Sequence, residues 1–249
     1  MTIQLVSLHK LLTADARRKQ VSEIINESSA DLILFPGHTL LSKEDVTHLR
    51  KSLKNKASVV LFETKDGGFD NGGNHLFRIE GGKIIDMKSR QIFTKSAQIN
   101  KDKEYALDLL DELEQDTKRR FRVKDKRCLV LQCGELNILK NYQKEGNRVA
   151  FRYDHDPDLE RRFFDIIEHV DIVLNPIHAP MGNQNKLGAR RILLSNNGRA
   201  YFSTCNALNA KTLTLKRKSL QYALKDGHDL QEAEDAICEK SYIIRSYKL

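Results

Sequence analysis

The chain has 249 residues, of which 40% are hydrophobic and 31% are charged, and it carries a net charge of +8. These values exclude a collagen-like chain, a disulfide-stapled scaffold and a mostly disordered protein, and the length is sufficient to bury a large core. No apolar run approaches the roughly 18 residues of a membrane span, and Met1–Leu12 is too short and too interrupted for a signal peptide. We therefore expect a cytoplasmic, globular protein.

Short apolar segments alternate with segments of helical periodicity along the chain. The predicted strands are Ile3–Leu8, Asp31–Phe35, Ser58–Glu63, a hairpin of His75–Ile79 with Lys83–Met87, Arg127–Gln132, Asp171–Leu174, Ala200–Thr204 and Tyr242–Ser246. The predicted helices are Ala14–Ser28, Lys43–Leu53, Asp158–His169, Leu187–Asn196 and Leu230–Glu239, with Tyr105–Glu114 as a helix or a loop. Strands that are apolar on both faces are typical of sheets covered by helices, so we expect an α/β fold. No low-complexity linker or repeat divides the chain, which favours one domain spanning residues 1–249.

Four cysteines without a secretory signal are expected to be free thiols, and their spacing does not suit a zinc site. Cys133 stands out because it follows the predicted strand Arg127–Gln132 and precedes Gly134, where a sharp turn can lift the thiol out of the strand. A thiol in that position becomes a nucleophile when a cationic or basic neighbour stabilises its thiolate. An inert buried thiol is the alternative, and it is the interpretation for Cys128, five residues earlier.

Polar or turn residues follow several other predicted strands. Pro36-Gly37-His38 ends one strand, Phe93-Thr94-Lys95 follows the hairpin, and Asn175-Pro176 ends a third. In open α/β sheets, ligands bind beyond the carboxyl ends of the strands, so we expect these segments to converge on one rim.

The order of these segments resembles the nitrilase, or carbon–nitrogen hydrolase, superfamily over nearly the whole chain. The segments that carry the resemblance are the opening strand Ile3–Leu8, Ala30–Pro36, Gly82–Ile85 with Phe93-Thr94-Lys95, Cys133-Gly134-Glu135, Asp171–Pro176, Arg190–Asn206 and the last strand Tyr242–Tyr247. The resemblance implies a four-layer α-β-β-α sandwich that forms a homodimer or larger homo-oligomer.

The resemblance also implies a chemistry, in which a Cys nucleophile, a Glu general base and a Lys cleave a small amide or nitrile without a metal or cofactor. The thiolate attacks the carbon, the lysine stabilises the oxyanion, and water releases the acyl-enzyme. Cys133 takes the nucleophile position, and Lys95 best takes the lysine position, with Lys88 and Arg90 as alternatives. The N–H of Gly134 is the expected oxyanion donor.

The sequence departs from the family pattern at the general base. The family has Glu directly after Phe-Pro, whereas Gly37 stands there in this chain. The neighbouring His38 can titrate near neutral pH and is a candidate replacement, although a shift of one residue reorients the side chain. Glu135 orients the nucleophile turn or contacts the substrate, or else forms a structural salt bridge. Glu63 and His178 are candidates for substrate binding, and Glu63, Glu112 or Glu114 is a candidate for the second, auxiliary Glu that the resemblance implies.

Three functions follow from these observations. The first is an amidase-type hydrolase with Cys133 as its nucleophile, and the second is a catalytically altered nitrilase-like protein that binds a ligand or partner. Nucleic-acid binding through the basic run Lys118–Arg127 ranks last, because no aromatic platform accompanies the bases. Asn183–Lys186 and Arg190-Arg191 could bind an anionic substrate group, although a charged helix surface is the more common explanation.

Overall fold

Two β-sheets packed face to face form the centre of the protein, in a computed structural model that describes residues 1–65, 74–180, 182–209 and 217–249. The strands are β1 (Thr2–Leu8), β2 (Leu32–Leu34), β3 (Val59–Lys65), β4 (Asn74–Glu80), β5 (Lys83–Arg90), β6 (Arg120–Val123), β7 (Lys126–Val130), β8 (Leu139–Tyr142), β9 (Arg148–Phe151), β10 (Ile172–Ile177), β11 (Ala200–Cys205), β12 (Gln221–Lys225), β13 (His228–Asp229), β14 (Ile237–Cys238) and β15 (Tyr242–Lys248). The helices are α1 (Ala14–Glu27), α2 (Lys43–Ser52), α3 (Ser96–Lys101), α4 (Glu104–Glu114), α5 (Pro157–Glu168), α6 (Gln184–Ser195) and α7 (Arg217–Leu220), with 3-10 helices at Cys133–Ile138 and Gln143–Glu145.

The first sheet has the strand order β14-β15-β1-β2-β3-β4-β5, and the second has the order β13-β12-β11-β10-β7-β6. Alternate residues of the central strands explain the layering, because successive side chains point to opposite faces. In β2, Leu32 and Leu34 join a core cluster shared with Val130 and Leu174 of the second sheet. Ile33 faces the other way and packs with α1 and α2.

The second sheet has the same two-sided arrangement. Its outer face packs against α4, α5 and α6 in a cluster that includes Leu110, Phe163 and Leu194. The predicted four-layer α-β-β-α sandwich is therefore confirmed, and the apolar strands are buried on both faces as expected. The expectation of one domain over residues 1–249 stays a prediction. None of the described helices is both long enough and apolar enough to cross a membrane.

The parallel strands of both sheets end at one rim. β1, β2 and β3 run parallel in the first sheet, and β7, β10 and β11 run parallel in the second. Backbone hydrogen bonds join the two sheets there, since the Ala207 N–H donates to the Leu8 carbonyl at 2.9 Å. The segments that follow these strands consequently meet in space.

One predicted helix is wrong. Leu230–Glu239 is an extended segment that ends in β14 rather than a helix. Its backbone instead pairs with β15, where Ile237 lies opposite Ile244 and the Ala233 N–H donates to the Ser246 carbonyl. Most of its side chains are exposed, so no apolar face held a helix against the core. The other predicted strands and helices form, with shifts of a few residues at their ends.

Candidate active site

The rim brings four strand ends into contact. Cys133 follows β7, His178 follows β10, Gly37 and His38 follow β2, and Glu63 lies near the end of β3. The Gly37 N–H donates to the Ile177 carbonyl at 3.1 Å, which joins the end of β2 to the end of β10 across the two sheets. The strand ends therefore meet at one rim, as the sequence predicted, and the residues at these ends form the candidate site.

The turn that carries Cys133 is strained and tightly packed. Cys133 has a φ of 21°, at the edge of the left-handed region that residues with a Cβ rarely adopt. A Cβ added to Gly134 would lie 2.1 Å from the Thr94 carbonyl oxygen, so only glycine fits there. Cys133 is partly exposed, whereas burial raises the pKa of Cys128 and of Cys205 to about 12. Strained backbone of this kind is typical of functional positions.

Glu135 holds this turn in place through buried hydrogen bonds. It is fully buried, and its two oxygens accept hydrogen bonds from the Arg119 guanidinium at 2.9 and 3.1 Å. They also accept from the backbone N–H groups of Ile92 and Gln132 at 2.8 and 2.7 Å. These contacts favour two of the three roles left open for Glu135. It orients the nucleophile turn, and it forms a structural salt bridge with Arg119.

His178 and Glu63 form a buried pair beside Cys133. The His178 Nε2–H donates to Glu63 Oε2 at 2.9 Å, while Gln132 Nε2 donates to Glu63 Oε1 at 2.9 Å. Cys133 lies next to the same ring, and the bond to Glu63 leaves Nδ1 as the nitrogen that can face the thiol. Burial works to lower the pKa of His178, but the charges of Cys133 and Glu63 and the hydrogen bonds to both raise it to about 10.

His178 occupies the space that a side chain at position 37 would need. A Cβ on Gly37 would lie 2.0 Å from His178 Cδ2, 2.8 Å from Nε2 and 3.0 Å from Glu63 Oε2. Position 37 has a glycine in place of the family's glutamate. The space beside it is occupied by the His178 imidazole, which comes from the other sheet, and by the Glu63 carboxylate bonded to that ring. The sequence indicated both residues as candidates for substrate binding, with Glu63 also a candidate for the auxiliary Glu. The absence of a carboxylate at position 37 is the signal that could have pointed to a replacement elsewhere in the chain.

His38 lies in the site but plays a different part from His178. Its ring stacks on the His178 ring with centroids 3.7 Å apart and planes 14° apart, and its Nε2–H donates to Asn74 Oδ1 at 2.8 Å. Burial and the charge of His178 lower the pKa of His38 to about 4. His38 is thus neutral at neutral pH and supports one face of the His178 ring.

Two polar residues that sequence reasoning missed clamp the loops of the site. Asn206 follows β11, and its Nδ2 donates to the carbonyls of Gly37 and His178 at 2.6 and 3.0 Å. The buried Arg17 of α1 donates to Asn206 Oδ1 at 3.2 Å and to the His38 carbonyl at 3.1 Å. Asn206 lies in the segment that resembles the family, which is the signal that could have identified it.

Lys95 lies on the segment that packs against the nucleophile turn. It is exposed and directly follows Thr94, whose carbonyl contacts Gly134. Lys88 and Arg90, the alternatives for the lysine position, lie on β5, and both are exposed. Glu112 bonds to Arg119 and Ser89, and Glu114 bonds to Arg162, so neither of these carboxylates joins the Cys133 site.

The basic run Lys118–Arg127 forms the β6–β7 hairpin and is largely neutralised by carboxylates. Six of its bases lie within 4 Å of a carboxylate oxygen, and the pairs are Lys118–Glu112, Arg119–Glu135, Arg120–Asp116, Lys124–Asp31, Lys126–Asp125 and Arg127–Asp171. This pairing weakens the attraction to phosphates on which nucleic-acid binding would depend. Among the described residues, no group of three His, Cys, Asp or Glu side chains is arranged to hold a metal ion.

No protein-family model matches the sequence, and no curated protein matches it significantly. Solved structures do match over 99–100% of the chain. One is a Glu-to-Gln variant of the amidase from Nesterenkonia sp. AN1 with acrylamide added to its active-site cysteine (12% identity, 93% of that chain, TM-score 0.55). Another is a CN-hydrolase superfamily protein from Xanthomonas campestris with an arsenic adduct in its active site (11%, 90%, 0.55).

A third is a glutamine-dependent NAD⁺ synthetase from Cytophaga hutchinsonii, of which the match covers 43% (10% identity, TM-score 0.53). The Nesterenkonia enzyme is described as an amidase of the nitrilase superfamily. At these identities the likeness concerns the fold, and the four layers agree with those that the resemblance implied. The chain has the fold of the nitrilase, or carbon–nitrogen hydrolase, superfamily.

Proposed function

We propose that this protein is a carbon–nitrogen hydrolase that cleaves a small amide through a thioester on Cys133, with His178 as the general base and acid and Glu63 as its partner. The observation that carries the proposal is the contiguous arrangement of Cys133, His178 and Glu63, with His178 bonded to Glu63, at the place where Gly37 stands instead of the family's glutamate. A nucleophile, a base in contact with it and a third group that orients the base are the recurring parts of nucleophilic catalysis.

The acylation half-reaction uses the proton that His178 holds. The Cys133 sulfur attacks the amide carbon, and the carbonyl electrons move to the oxygen to give a tetrahedral intermediate. His178 then donates its proton to the amide nitrogen, the C–N bond breaks, and ammonia or an amine leaves a thioester behind. Glu63 keeps the ring oriented and compensates the positive charge of the protonated imidazole.

The deacylation half-reaction restores the starting state. Neutral His178 takes a proton from a water molecule, whose oxygen attacks the thioester carbon, and the C–S bond breaks. The products are a carboxylic acid and the Cys133 thiolate beside protonated His178. The buried, hydrogen-bonded position of Glu63 supports its role as the partner of a group that gains and loses charge during the cycle.

In this mechanism, Gly134 and Lys95 stabilise the oxyanion. The Gly134 N–H lies in the first turn of the 3-10 helix Cys133–Ile138, where backbone N–H groups lack partners within the helix. Lys95 supplies a cation from the segment that contacts Gly134. His38 and Glu135 act as positioning residues, through the stack on His178 and through the bonds below the nucleophile turn.

A catalytically altered protein that binds a ligand or partner is the second candidate function, and Gly37 in place of glutamate is the observation that favours it. Alkylation by iodoacetamide near pH 7 separates the two candidates. A thiolate beside an imidazolium reacts faster than free cysteine, whereas a Cys133 thiol no more reactive than free cysteine favours the binding protein.

The substitution Cys133→Ala tests the hydrolase directly. We expect it to abolish hydrolysis across a panel of short aliphatic amides, measured as ammonia release, and to remove the thioester that mass spectrometry traps in the unsubstituted protein. The control is Cys238→Ala, which removes an exposed thiol on β14 and is expected to keep full turnover. Undiminished turnover in the Cys133→Ala protein would overturn the proposal.

A homodimer, as the resemblance implies, is part of the proposal and is measured by light scattering.

A further inference from the structure

A second concave region lies beside the active site and is strongly cationic. It is a cavity of about 340 Å³, within the range of small-molecule sites. Four cationic side chains line it, namely Lys140, Arg152, Lys186 and Arg190. Of the two arginines singled out in the sequence, only Arg190 lines the cavity, because Arg191 lies over the Tyr222 ring and bonds to Gln184.

The two arginines of the cavity lack carboxylate partners among the described residues. Arg190 donates to the Leu136 carbonyl and to the amide oxygens of Asn137 and Asn141, at 2.9–3.2 Å. Arg152 likewise donates to carbonyl and amide oxygens, those of Leu139 and Asn100 at 3.0 and 2.8 Å and that of Asn137. These acceptors hold the guanidinium groups in place without neutralising them.

The remaining charges leave the cavity positive. Lys140 is paired with Asp154 at 2.7 Å, but Lys186 has no ion pair within the described part of the chain. Lys186 lies in the first turn of α6, a helix of 12 residues whose N-terminus adds a further partial positive charge. Burial and the charge of Arg152 lower the pKa of Arg190 to about 10, so the two cations repel each other.

The walls of the cavity belong to the segments that form the active site. Ser96 directly follows Lys95, Asn137 lies on the 3-10 helix that begins at Cys133, and Gly182 is on the segment that leaves His178. At about 2 Å of rise per residue in a 3-10 helix, Asn137 is roughly 8 Å from Cys133. A substrate that reached from Cys133 to this cavity would span about that distance.

We infer that this cavity is a specificity site that binds an anionic group, a carboxylate or a phosphate, at the end of the substrate remote from the scissile amide. Arg152 and Arg190 are the specificity-determining residues, because a guanidinium donates two parallel hydrogen bonds to such a group. The inference rests on the proposed function for the position of the amide, whereas the binding of the anion depends only on the cavity.

Binding to the full chain carrying Cys133→Ala tests the inference without turnover. Isothermal titration calorimetry compares three ligands: glutaric acid monoamide, the neutral pentanamide of the same length, and a short amide that ends in a phosphate. We expect at least one of the two charged ligands to bind roughly tenfold or more tightly than pentanamide, because hydrogen bonds between charged groups are the strong ones. The stronger of the two identifies the anion as carboxylate or phosphate.

Substitutions of the two cavity arginines test whether these residues cause the difference in affinity between charged and neutral ligands. Arg152→Gln is expected to lower the ratio of charged to neutral affinity by roughly tenfold, and Arg190→Gln should do the same, with partial recovery in Arg190→Lys. The control is Lys144→Gln, which removes an exposed cation between β8 and β9 and is expected to keep the ratio. Circular dichroism checks that each variant is folded.

The outcomes separate the two proposals. Equal affinity for charged and neutral ligands, or a ratio that Arg152→Gln leaves unchanged, overturns the specificity site. If the Cys133→Ala protein binds the anion through Arg152 but the unsubstituted protein hydrolyses none of the three amides, the specificity site is retained and the hydrolase is overturned. A chain that hydrolyses all three amides with equal kcat/KM overturns the site alone.

Discussion

The molecule contains two buried glutamates that contact a cation at the same distance, yet their surroundings differ. Glu135 lies 2.9 Å from Arg119, and Glu63 lies 2.9 Å from His178. Both carboxylates are fully buried. Glu135 accepts hydrogen bonds from a guanidinium that stays charged and from two backbone N–H groups, so its surroundings do not change during a reaction cycle.

Glu63 has a partner that can change its charge. His178 can lose its proton, contacts Cys133 with the same ring and lies at the rim. Burial and ion pairing alone therefore do not distinguish a catalytic carboxylate from a structural one. What distinguishes them is whether the partner titrates and whether it also contacts a nucleophile.

Removal of His178 is expected to have the largest effect. In His178→Ala, no group remains to carry the proton between Cys133, the leaving amine and water, so kcat/KM should fall by roughly 10³- to 10⁴-fold. The matched control is His169→Ala, an exposed histidine at the end of α5, which should change kcat/KM less than about twofold. A His178→Ala protein with normal turnover would leave His38 as the base, as the sequence alone suggested.

Removal of the charge of Glu63 is expected to have an intermediate effect. Glu63→Gln keeps the shape of the side chain but no longer stabilises the protonated imidazole, so kcat/KM should fall by roughly 100-fold. Loss of the negative charge also lowers the pKa of His178. The alkaline limb of the pH–rate profile should therefore move to lower pH, a shift that a purely structural role would not produce.

The same substitution at Glu135 is expected to act on stability. Glu135→Gln leaves the fully buried Arg119 with only the Glu112 carboxylate, so the free energy of unfolding in urea should fall by about 3 kcal/mol. Glu112→Gln is the matched control, because it removes the more exposed partner of the same arginine and should cost less. A larger fall in kcat/KM than that of Glu63→Gln, at unchanged stability, would make Glu135 catalytic instead.

Much of the fold could be predicted from the sequence because its signals are local. Apolar runs such as Asp31–Phe35 and Arg127–Gln132 form strands that are buried on both faces, and their turn residues mark the rim. The segment Leu230–Glu239 has helical spacing but mostly exposed side chains, and pairing with β15 determines its extended form. Here pairing with the strand that follows overrides local propensity.

The pairing within the site depends instead on contacts between segments that are distant in the sequence. Glu63 and His178 lie 115 positions apart and come from different sheets, so no spacing along the chain links them. Sequence reasoning identified Cys133 and the missing carboxylate at Gly37, but placed the replacement on the adjacent His38. The structure places the His178 ring against Gly37, because β10 ends opposite β2 across the rim.

The two stacked histidines also predict the smallest effect, a stability optimum near pH 6.5. The pKa of His178 is raised from 6.5 to about 10, so its contribution is fully present below pH 6.5 and is lost as the pH rises through about 10. The pKa of His38 is lowered from 6.5 to about 4, so stability decreases as the pH falls from 6.5 towards 4.

Thermal unfolding between pH 4 and pH 10 measures both limbs. His38→Asn should flatten the acid limb and retain the alkaline one, because it removes the group that must be protonated in the folded protein at low pH. His178→Asn should flatten the alkaline limb. If each substitution shifted Tm by the same amount at every pH, the stacked histidines would contribute packing rather than charge, and the proton that the mechanism assigns to His178 would need another carrier.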